Sequence, residues 1–308
     1  MTASAPSVPP RVAVLLAACN GERWLDEQVQ SIQAQQRVAV HLHISVDESL
    51  DNTWGWCEAY AAAHANVTLL PSGRSGSAAG NFFRLLRDVS LGELDHVAFA
   101  DQDDIWLPGK LLRAIEQLSA HRASAYSSNV LAFWADGRRQ LLDKAQPQVH
   151  WDHHFEAAGP GCSYVFAPAF AQALQGFVRQ HRHALQNVAL HDWLAYAYAR
   201  QNGWVWFIDQ QPGLLYRQHG NNEFGANTSW RSMFHRLKRI RQGWWFEQVS
   251  LIARLVGVDA AAPVTGAAVD RRQLARMLVN ARQCRRRPRD QLLFAALCAV
   301  AWITGGAK

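Results

Sequence analysis

The sequence predicts an α/β fold in which a mostly parallel sheet is flanked by helices. Short, continuously apolar segments alternate with segments of helical spacing from residue 11 to about residue 120, and several apolar segments end in polar or acidic residues. Strands that alternate with helices form parallel sheets covered on both faces. Ligands of such sheets bind at the carboxyl ends of the strands, so reactive side chains are expected there.

Four strands and three helices are predicted in the first hundred residues. The run VAVLLAA (12–18) predicts the first strand, and Leu25, Val29 and Ile32 then lie at i, i+4 and i+7 on one face of a helix. The following elements are HLHISVD (41–47), a helix over 54–63, VTLLP (67–71), the helix NFFRLLRDV (81–89) and HVAFA (96–100).

Later segments continue the pattern of strands and helices, and the composition then changes. Further strands are predicted at YSSNVLAFW (126–134), CSYVFA (162–167), WVWFID (204–209) and LLYRQH (214–219), with a helix at HDWLAYAYARQNG (191–203). Beyond them the sequence becomes rich in Trp and Arg. We therefore expect a disordered tail over 1–10, an α/β domain over 11–227 and a basic, helical C-terminal extension over 228–308.

Composition favours an intracellular globular protein. With 308 residues, of which 49% are hydrophobic, the chain is long enough for one large core. The opening MTASAPSVPP lacks the apolar and basic regions of a signal peptide, so we expect a cytoplasmic location. Five cysteines, an odd number without CxxC spacing, indicate reduced thiols and argue against a disulfide framework or a zinc knuckle.

Charge is divided unevenly along the chain. Residues 226–308 carry 15 basic and 4 acidic side chains, a net of +11, whereas residues 1–225 carry 16 and 21, a net of −5. Basic segments at 231–241 and 282–289 precede about fifteen uncharged residues at 291–305, fewer than the roughly 20 that span a bilayer. An interfacial helix on anionic lipid is the favoured interpretation. A solvated bundle or an oligomerisation element is the alternative, and no recognisable motif indicates nucleic acid.

Three carboxylates follow the fourth predicted strand in the segment ADQDDIWLPGK. Asp101 and Asp103 form a DxD pair, and two carboxylates one residue apart can bind Mg²⁺ or Mn²⁺ and hold a nucleoside diphosphate. The alternative is that Asp104 caps the helix that follows. The sequence contains neither GxxxxGK[ST] nor GxGxxG, which disfavours kinases and dehydrogenases.

Five segments together resemble the family 2 glycosyltransferases of the GT-A fold, and in particular the bacterial rhamnosyltransferases of surface-polysaccharide synthesis. They are AACNGERWLDEQVQSI, ISVDESLDNTWGWC, ADQDDIWLPGKL, HDWLAYAYA and LYRQHGNNEFGAN, which span roughly residues 11–227. The resemblance implies a GT-A fold and an enzyme that transfers a sugar from a nucleotide donor to a glycan or a polyprenyl-linked acceptor.

The resemblance also implies residues that bind the nucleotide. Ala18, Asn20 and Glu22 match the loop near the base and ribose, and Asp47 matches the acidic residue that reads the nucleobase. The segment VDES departs from the family's DDGS, which leaves the preference between uridine and thymidine open. Arg74 and Asn81 flank a glycine-rich segment that either reaches the nucleotide or forms a solvated loop.

Catalytic roles follow from the same resemblance. Asp101 is expected at the ribose, Asp103 at the metal and the diphosphate, and Arg217 with His219 over the diphosphate, His219 as a second metal ligand. Asp192 matches the carboxylate that takes the proton from the acceptor hydroxyl, with a helix cap as its alternative.

The expected activity is inverting, metal-dependent transfer of L-rhamnose from dTDP-L-rhamnose, on the inner face of the plasma membrane. Transfer from a UDP-hexose or UDP-hexosamine is the alternative within the fold. A sugar nucleotidyltransferase and a non-catalytic glycan-binding protein are the alternatives from other classes.

Overall fold

The computed structural model describes residues 8–219 and 243–304. The predicted tail is thus described only from residue 8. The basic segment 231–241 and the domain boundary at residue 227 lie outside the described residues, so that boundary stays a prediction.

Strands and helices alternate through the first half of the described chain and helices follow at its end. The strands are β1 Arg11–Ala18, β2 Ala39–Val46, β3 Val67–Leu69, β4 His96–Asp101, β5 Ile105–Trp106, β6 Ala125–Ser128, β7 Val130–Trp134, β8 Arg139–Leu142, β9 Val165–Phe166, β10 Trp206–Asp209 and β11 Leu214–Gln218. The helices are α1 Glu22–Gln33, α2 Thr53–Ala63, α3 Ala78–Asp88, α4 Lys110–Ala120, α5 Pro168–Gln180, α6 His191–Gln201, α7 Trp244–Val256, α8 Arg271–Val279, α9 Ala281–Cys284 and α10 Pro288–Thr304.

A seven-stranded sheet forms the centre of the fold, in the order β10-β6-β9-β4-β1-β2-β3. Only β9 runs antiparallel to its neighbours β4 and β6. The predicted mixed, mostly parallel sheet flanked by helices is therefore confirmed. In the register, Ala17 pairs with Asp101 and Ala18 with Val46, so β1, β2 and β4 end at one edge.

Helices cover both faces of β1, which explains its uninterrupted apolar sequence. Ala13, Leu15 and Ala17 pack into a core with α3, α5 and α6. The alternate residues of the strand, from Val12 to Ala18, pack into a second core with α1, α2 and α4.

A second sheet of four strands, in the order β5-β11-β7-β8, lies beyond the acidic segment. Two sequence predictions are corrected here. The expected strand 126–134 is interrupted at buried Asn129, whose backbone N–H bonds Asp209 and whose side chain bonds Gln210 and Lys144. The segment therefore forms two strands, β6 and β7, which belong to different sheets. Likewise 162–167 is a 3-10 turn, Gly161–Ser163, followed by the two residues of β9.

The described part of the C-terminal extension packs against the sheet domain. Helix α7 contacts α6, and its buried residues Phe246, Val249 and Ile252 belong to the same core as α3 and α5. Helix α10 contributes Phe294, Cys298 and Ala301 to that core. Within residues 8–219 and 243–304, no helix combines the length and apolarity needed to cross a membrane.

Candidate active site

The three aspartates of the acidic segment have different partners at the edge of the central sheet. Asp101 ends β4, and its carbonyl oxygen accepts a hydrogen bond of 2.7 Å from Gln28 Nε2. Asp103 Oδ2 lies 2.7 Å from His219 Nε2. Asp104 is fully buried, and its Oδ1 accepts the backbone N–H of Arg217 at 3.1 Å. The structure thus brings together Asp103 and His219, the two residues expected to bind a metal.

Asp104 does not cap the following helix, which corrects the alternative considered from the sequence. Helix α4 begins at Lys110, and its N-cap residue is Gly109. The two residues of β5 and the turn at Pro108 separate Asp104 from the helix. Asp104 instead joins the acidic segment to β11.

Electrostatics around Asp104 oppose its ionisation. Burial, reinforced by the carboxylates of Asp103 and Asp101, raises its pKa well above the ordinary value. Its Oδ2 has no hydrogen-bond partner among the described residues. Nearby Lys110 is buried against the ring of Trp106, 3.2 Å from Nζ to the ring centroid. Burial lowers the pKa of Lys110 to about 7 although the carboxylates oppose this. Burial and the neighbouring carboxylates thus favour the neutral form of Asp104.

The donor atoms of this site fit a hard divalent cation. Asp101, Asp104 and Cys162 bring ligand atoms within 4.8 Å of one another, while Asp103 and His219 face each other beside them. Burial raises the pKa of the Cys162 thiol well above its ordinary value, so the sulfur stays protonated and is a poor ligand. Carboxylate oxygens with one imidazole suit Mg²⁺ or Mn²⁺.

Arg217 is held tightly beside the acidic segment. Its Nε donates to the carbonyl oxygen of Asp103 at 2.7 Å, and its guanidinium bonds Glu27. The guanidinium carbon lies 4.6 Å from the ring centroids of both Trp24 and Phe133. These contacts hold the backbone at Asp103 in place. Arg217 therefore positions the acidic segment, in addition to its predicted contact with the diphosphate.

Asp47 lies at the rim of a pocket of about 380 Å³ beside the ends of β2 and β3. Its Oδ1 accepts the backbone N–H of Glu48 at 2.9 Å and of Ser75 at 2.8 Å. Trp54 and Arg74 also line this pocket, and Arg74 pairs at 3.3 Å with exposed Glu48. A larger cavity of about 540 Å³ lies beside β10, at the opposite end of the sheet, and contains none of the predicted site residues.

The loop after β1 lies between the Asp47 pocket and the acidic segment. Ala18 is buried, and its carbonyl oxygen accepts from Asp47 N and from Asn81 Nδ2. Asn20 Oδ1 accepts the N–H of Leu50 at 2.6 Å. Glu22 Oε2 accepts the N–H of Asn52 at 3.0 Å. In this structure the predicted nucleotide residues Asn20 and Glu22 use their side chains to hold neighbouring loops.

Asp192 is the second residue of α6 and lies half-buried. The N-cap position is Leu190, and Asp192 Oδ1 accepts the N–H of its neighbour Trp193 at 2.7 Å. A Cβ at Gly161 would lie 3.2 Å from Asp192 Cβ and 2.5 Å from His191 Nε2. The turn Gly161–Ser163 therefore contacts the start of α6 through Gly161 and the acidic cluster through Cys162.

His191 faces the core. Its ring stacks on Phe82 with centroids 3.9 Å apart, and burial lowers its pKa to about 3. The neutral ring packs in the core and so helps to hold the start of α6 in place. Of the two residues beside Gly161, only Asp192 is a carboxylate.

Helix α1 and the turn that follows it carry three polar side chains that the sequence-based interpretation missed. Gln28, Ser31 and Gln35 bond the backbone at Asp101, Trp106 and Leu107 respectively. Their spacing, i, i+3 and i+7, repeats the helical spacing of the neighbouring apolar stripe. Polar residues at that spacing, beside the apolar stripe, were the signal that the sequence offered.

The basic segment 282–289 does not present all its arginines to solvent, which corrects that part of the lipid interpretation. Arg286 is 5% exposed, and its Nε lies 3.7 Å from Asp152 Oδ2 and 3.5 Å from Glu156 Oε1. Arg285 pairs with Glu156 at 3.6 Å. Asp152 also accepts from Tyr196 and Arg200. These ion pairs join the extension to the sheet domain.

Comparison with known proteins identifies relatives over most of the chain. Residues 9–131 match the family model described as glycosyltransferase like family 2. The chain is 42% identical over 247 residues to the dTDP-rhamnosyl transferase RfbG of Shigella flexneri, and the match covers 80% of this chain and 86% of that protein.

Solved structures of glycosyltransferases share the GT-A architecture. TarS 1–349 of S. aureus, in complex with UDP-GlcNAc, aligns with TM-score 0.53 at 12% identity over 96% of this chain and 90% of its own. The mannosyltransferase PcManGT from Pyrobaculum calidifontis, in complex with GDP-Man and Mn²⁺, aligns with TM-score 0.56 at 16% identity over 99% and 78%. The chain spans 55% of a longer form of TarS.

Proposed function

Because this chain belongs to the family 2 glycosyltransferases, we propose that it transfers L-rhamnose from dTDP-L-rhamnose, with inversion, to a hydroxyl of a growing surface glycan or lipid-linked saccharide. The observation that carries this proposal is the meeting of three features at one edge of the sheet: the Asp47 pocket, the acidic segment and Asp192. The 42% identity to a dTDP-rhamnosyl transferase favours this donor.

The nucleotide would lie across the carboxyl ends of β1, β2 and β4. Its base would occupy the pocket beside Asp47, which offers a carboxylate Oδ2 and the ring of Trp54. Asp101 would bond the ribose and Arg217 the diphosphate. This placement follows the general preference of open α/β sheets for ligands at strand ends.

Asp103 and His219 would hold Mg²⁺ or Mn²⁺, with the carboxyl groups of Asp101 and Asp104 beside them. When bound, such an ion neutralises the charge that grows on the diphosphate as it leaves. Buried Asp104, whose Oδ2 has no partner among the described residues, and the clustered carboxylates are the observations that favour a cation here.

Asp192 would act as the general base. It takes the proton from the acceptor hydroxyl as that oxygen forms a bond to the anomeric carbon, on the face opposite the diphosphate. The bond from the anomeric carbon to the diphosphate oxygen breaks, and the diphosphate leaves with the electron pair. The contact of Gly161 with Asp192, next to Cys162 and the acidic cluster, supports this assignment.

The C-terminal helix α10 would dock on anionic lipid, where a polyprenyl-linked acceptor resides. Phe294, Cys298 and Ala301 face the core, whereas the opposite side of the helix exposes apolar side chains, namely Leu292 (75%), Leu293 (58%), Val300 (58%), Trp302 (48%) and Ile303 (71%). A helix that is apolar on both sides buries only one of them within this chain. Exposed Arg289, in the first turn of the same helix, suits acidic headgroups.

Thermal unfolding with nucleotide sugars tests the donor. We expect dTDP-L-rhamnose with Mn²⁺ to raise the Tm more than UDP-glucose, UDP-GlcNAc or GDP-mannose at equal concentration, because only the bound native state is stabilised. A larger shift with a UDP-sugar would replace rhamnose transfer by the UDP-hexose alternative. Membership of the family already excludes a nucleotidyltransferase and a purely glycan-binding protein as the class of this chain.

A further inference from the structure

Gln102, the middle residue of the DxD segment, makes a two-point contact with the loop after β1. Its Nε2 donates to the carbonyl oxygen of Cys19 at 2.8 Å, and its Oε1 accepts the N–H of Cys19 at 2.7 Å. One side-chain amide thus satisfies both backbone groups of a residue 83 positions away. Two such bonds fix distance and orientation together, as a rung of a β-ladder does.

Gly21 makes this contact possible. A Cβ at Gly21 would overlap the Gln102 amide, lying 2.6 Å from its Cδ. The backbone of Gly21 has φ −110°, which any residue adopts. The absence of a side chain at this position is therefore required by Gln102 and not by the backbone conformation.

The same loop is attached on its other side to the segment after Asp47. Asn20 N donates to Ser49 Oγ at 3.0 Å, and Leu50 N donates to Asn20 Oδ1 at 2.6 Å. Residues 19 and 20 therefore connect the pocket beside Asp47 to the acidic segment. The amide of Gln102 fixes one end of this connection.

We infer that Gln102 is a positioning residue that sets the spacing between the nucleobase pocket and the acidic segment. The inference depends on the proposed function, in which one nucleotide spans both places. A spacing fixed before binding lowers the ordering cost that the ligand must overcome, and loss of the amide would therefore weaken nucleotide affinity. Gln102 acts through the backbone of Cys19 and not by touching the ligand.

Gly21→Ala tests the contact between Gln102 and the loop after β1 from the side of the loop. The added methyl group displaces the amide of Gln102 but removes no polar group from the site. If the contact between Gln102 and Cys19 has no part in binding, any effects of Gln102→Met and Gly21→Ala arise separately and multiply in the double variant. Positioning predicts that either change alone breaks the same contact and that the double variant is no worse.

Isothermal titration of the full-length protein with dTDP and with UDP, both with Mn²⁺, measures the Kd of each variant. We expect Gln102→Met and Gly21→Ala each to raise Kd about tenfold, as for loss of two ordinary hydrogen bonds, and the double variant to match either single one. Gln30→Ala is the control, because that exposed amide bonds only Asp26 in the described structure. Steady-state donor KM is expected to rise with Kd while kcat stays within about twofold.

Three results would overturn the inference: an unchanged Kd for Gln102→Met, an unchanged Kd for Gly21→Ala, or single effects that multiply in the double variant. If Gln102→Met does not fold, Gln102→Glu keeps the size of the side chain and replaces its donor by a second acceptor, and the same tenfold loss is expected. Wild-type protein that binds neither nucleotide would instead refute the proposed function, and the inference with it.

Discussion

His219 Nε2 lies 2.7 Å from Asp103 Oδ2, although 116 positions separate the two residues. The contact brings the chain after β11 to the acidic loop after β4, and the ring of Trp24 stacks on His219 with centroids 5.4 Å apart. A carboxylate and an imidazole in this arrangement are suited to share a cation.

Asp103→Ala should weaken nucleotide binding in Mn²⁺ by about 100-fold or more, because one of two proposed ligands is lost and loss of even an outer partner typically costs about 10–100-fold. Titration of dTDP with and without Mn²⁺ measures this. Exposed Asp136, which pairs only with Arg138 in the described structure, gives the matched control Asp136→Ala. An Asp103→Ala protein with wild-type affinity would remove Asp103 from the metal site.

Asp192→Asn should lower kcat for transfer by about 10²–10⁴-fold, since a positioned base contributes that much. The amide keeps the shape of the side chain and still accepts the N–H of Trp193, so the Kd for dTDP should change less than about twofold. Single-turnover transfer and nucleotide titration give the two numbers. Loss of nucleotide binding would reassign Asp192 to a structural role.

Stability should fall as the pH falls below about 6.5. His154 is fully buried, both ring nitrogens have no partner among the described residues, and burial, with nearby His153, lowers its pKa to about 3. The unfolded chain therefore binds a proton between about pH 6.5 and pH 3 that the native chain does not, and this favours unfolding. At pH 5 the cost relative to pH 8 is about 2 kcal/mol from this residue.

Urea unfolding at pH 8 and at pH 5 measures that cost. His154→Phe, which cannot titrate, should lose less stability between the two pH values than the wild type does. Equal losses in the two proteins would show that His154 does not titrate on unfolding in this range.

Arg286→Met should reduce the free energy of unfolding by about 3–5 kcal/mol, because Asp152 and Glu156 would keep buried charge with fewer partners. Arg287→Met is the control. Its pair with Asp143, at 3.8 Å, is between side chains 43% and 45% exposed, so about 0–1 kcal/mol is expected. Equal effects in urea unfolding would contradict the structural role of Arg286.

The outer face of α10 should control lipid binding. Replacing Leu293 and Val300 together by Glu should reduce cosedimentation with vesicles containing anionic lipid by about tenfold, since both side chains are solvent-exposed and available to lipid. Leu141→Glu places the same charge at an exposed apolar position on β8 and should have no effect. Undiminished binding of the double variant would reject docking through this face.

Local patterns in the sequence predicted much of this fold. The apolar runs of β1 and β4 and the helical spacing in α1 are set by burial of neighbouring residues, which periodicity records. The acidic pair Asp101 and Asp103 was recognised because it follows a strand directly.

The remaining features depend on partners distant in the chain. The break at Asn129, the contact of Gln102 with Cys19 and the burial of Arg286 each involve residues at least 15 positions away. Polar side chains of this kind have the same local pattern whether they are solvated or satisfied by a distant backbone group. The burial of Arg286 was for that reason mistaken for part of an exposed basic surface.

Release of dTDP from dTDP-L-rhamnose tests rhamnose transfer most directly, because transfer of the sugar to water would release the nucleotide without any acceptor. The wild-type protein with Mn²⁺ is predicted to release dTDP faster than it releases nucleotide from UDP-glucose or UDP-GlcNAc, and Asp103→Ala is predicted to release none above background. Absence of dTDP release from dTDP-L-rhamnose, together with release of UDP from a UDP-sugar, would contradict the proposed transfer of rhamnose.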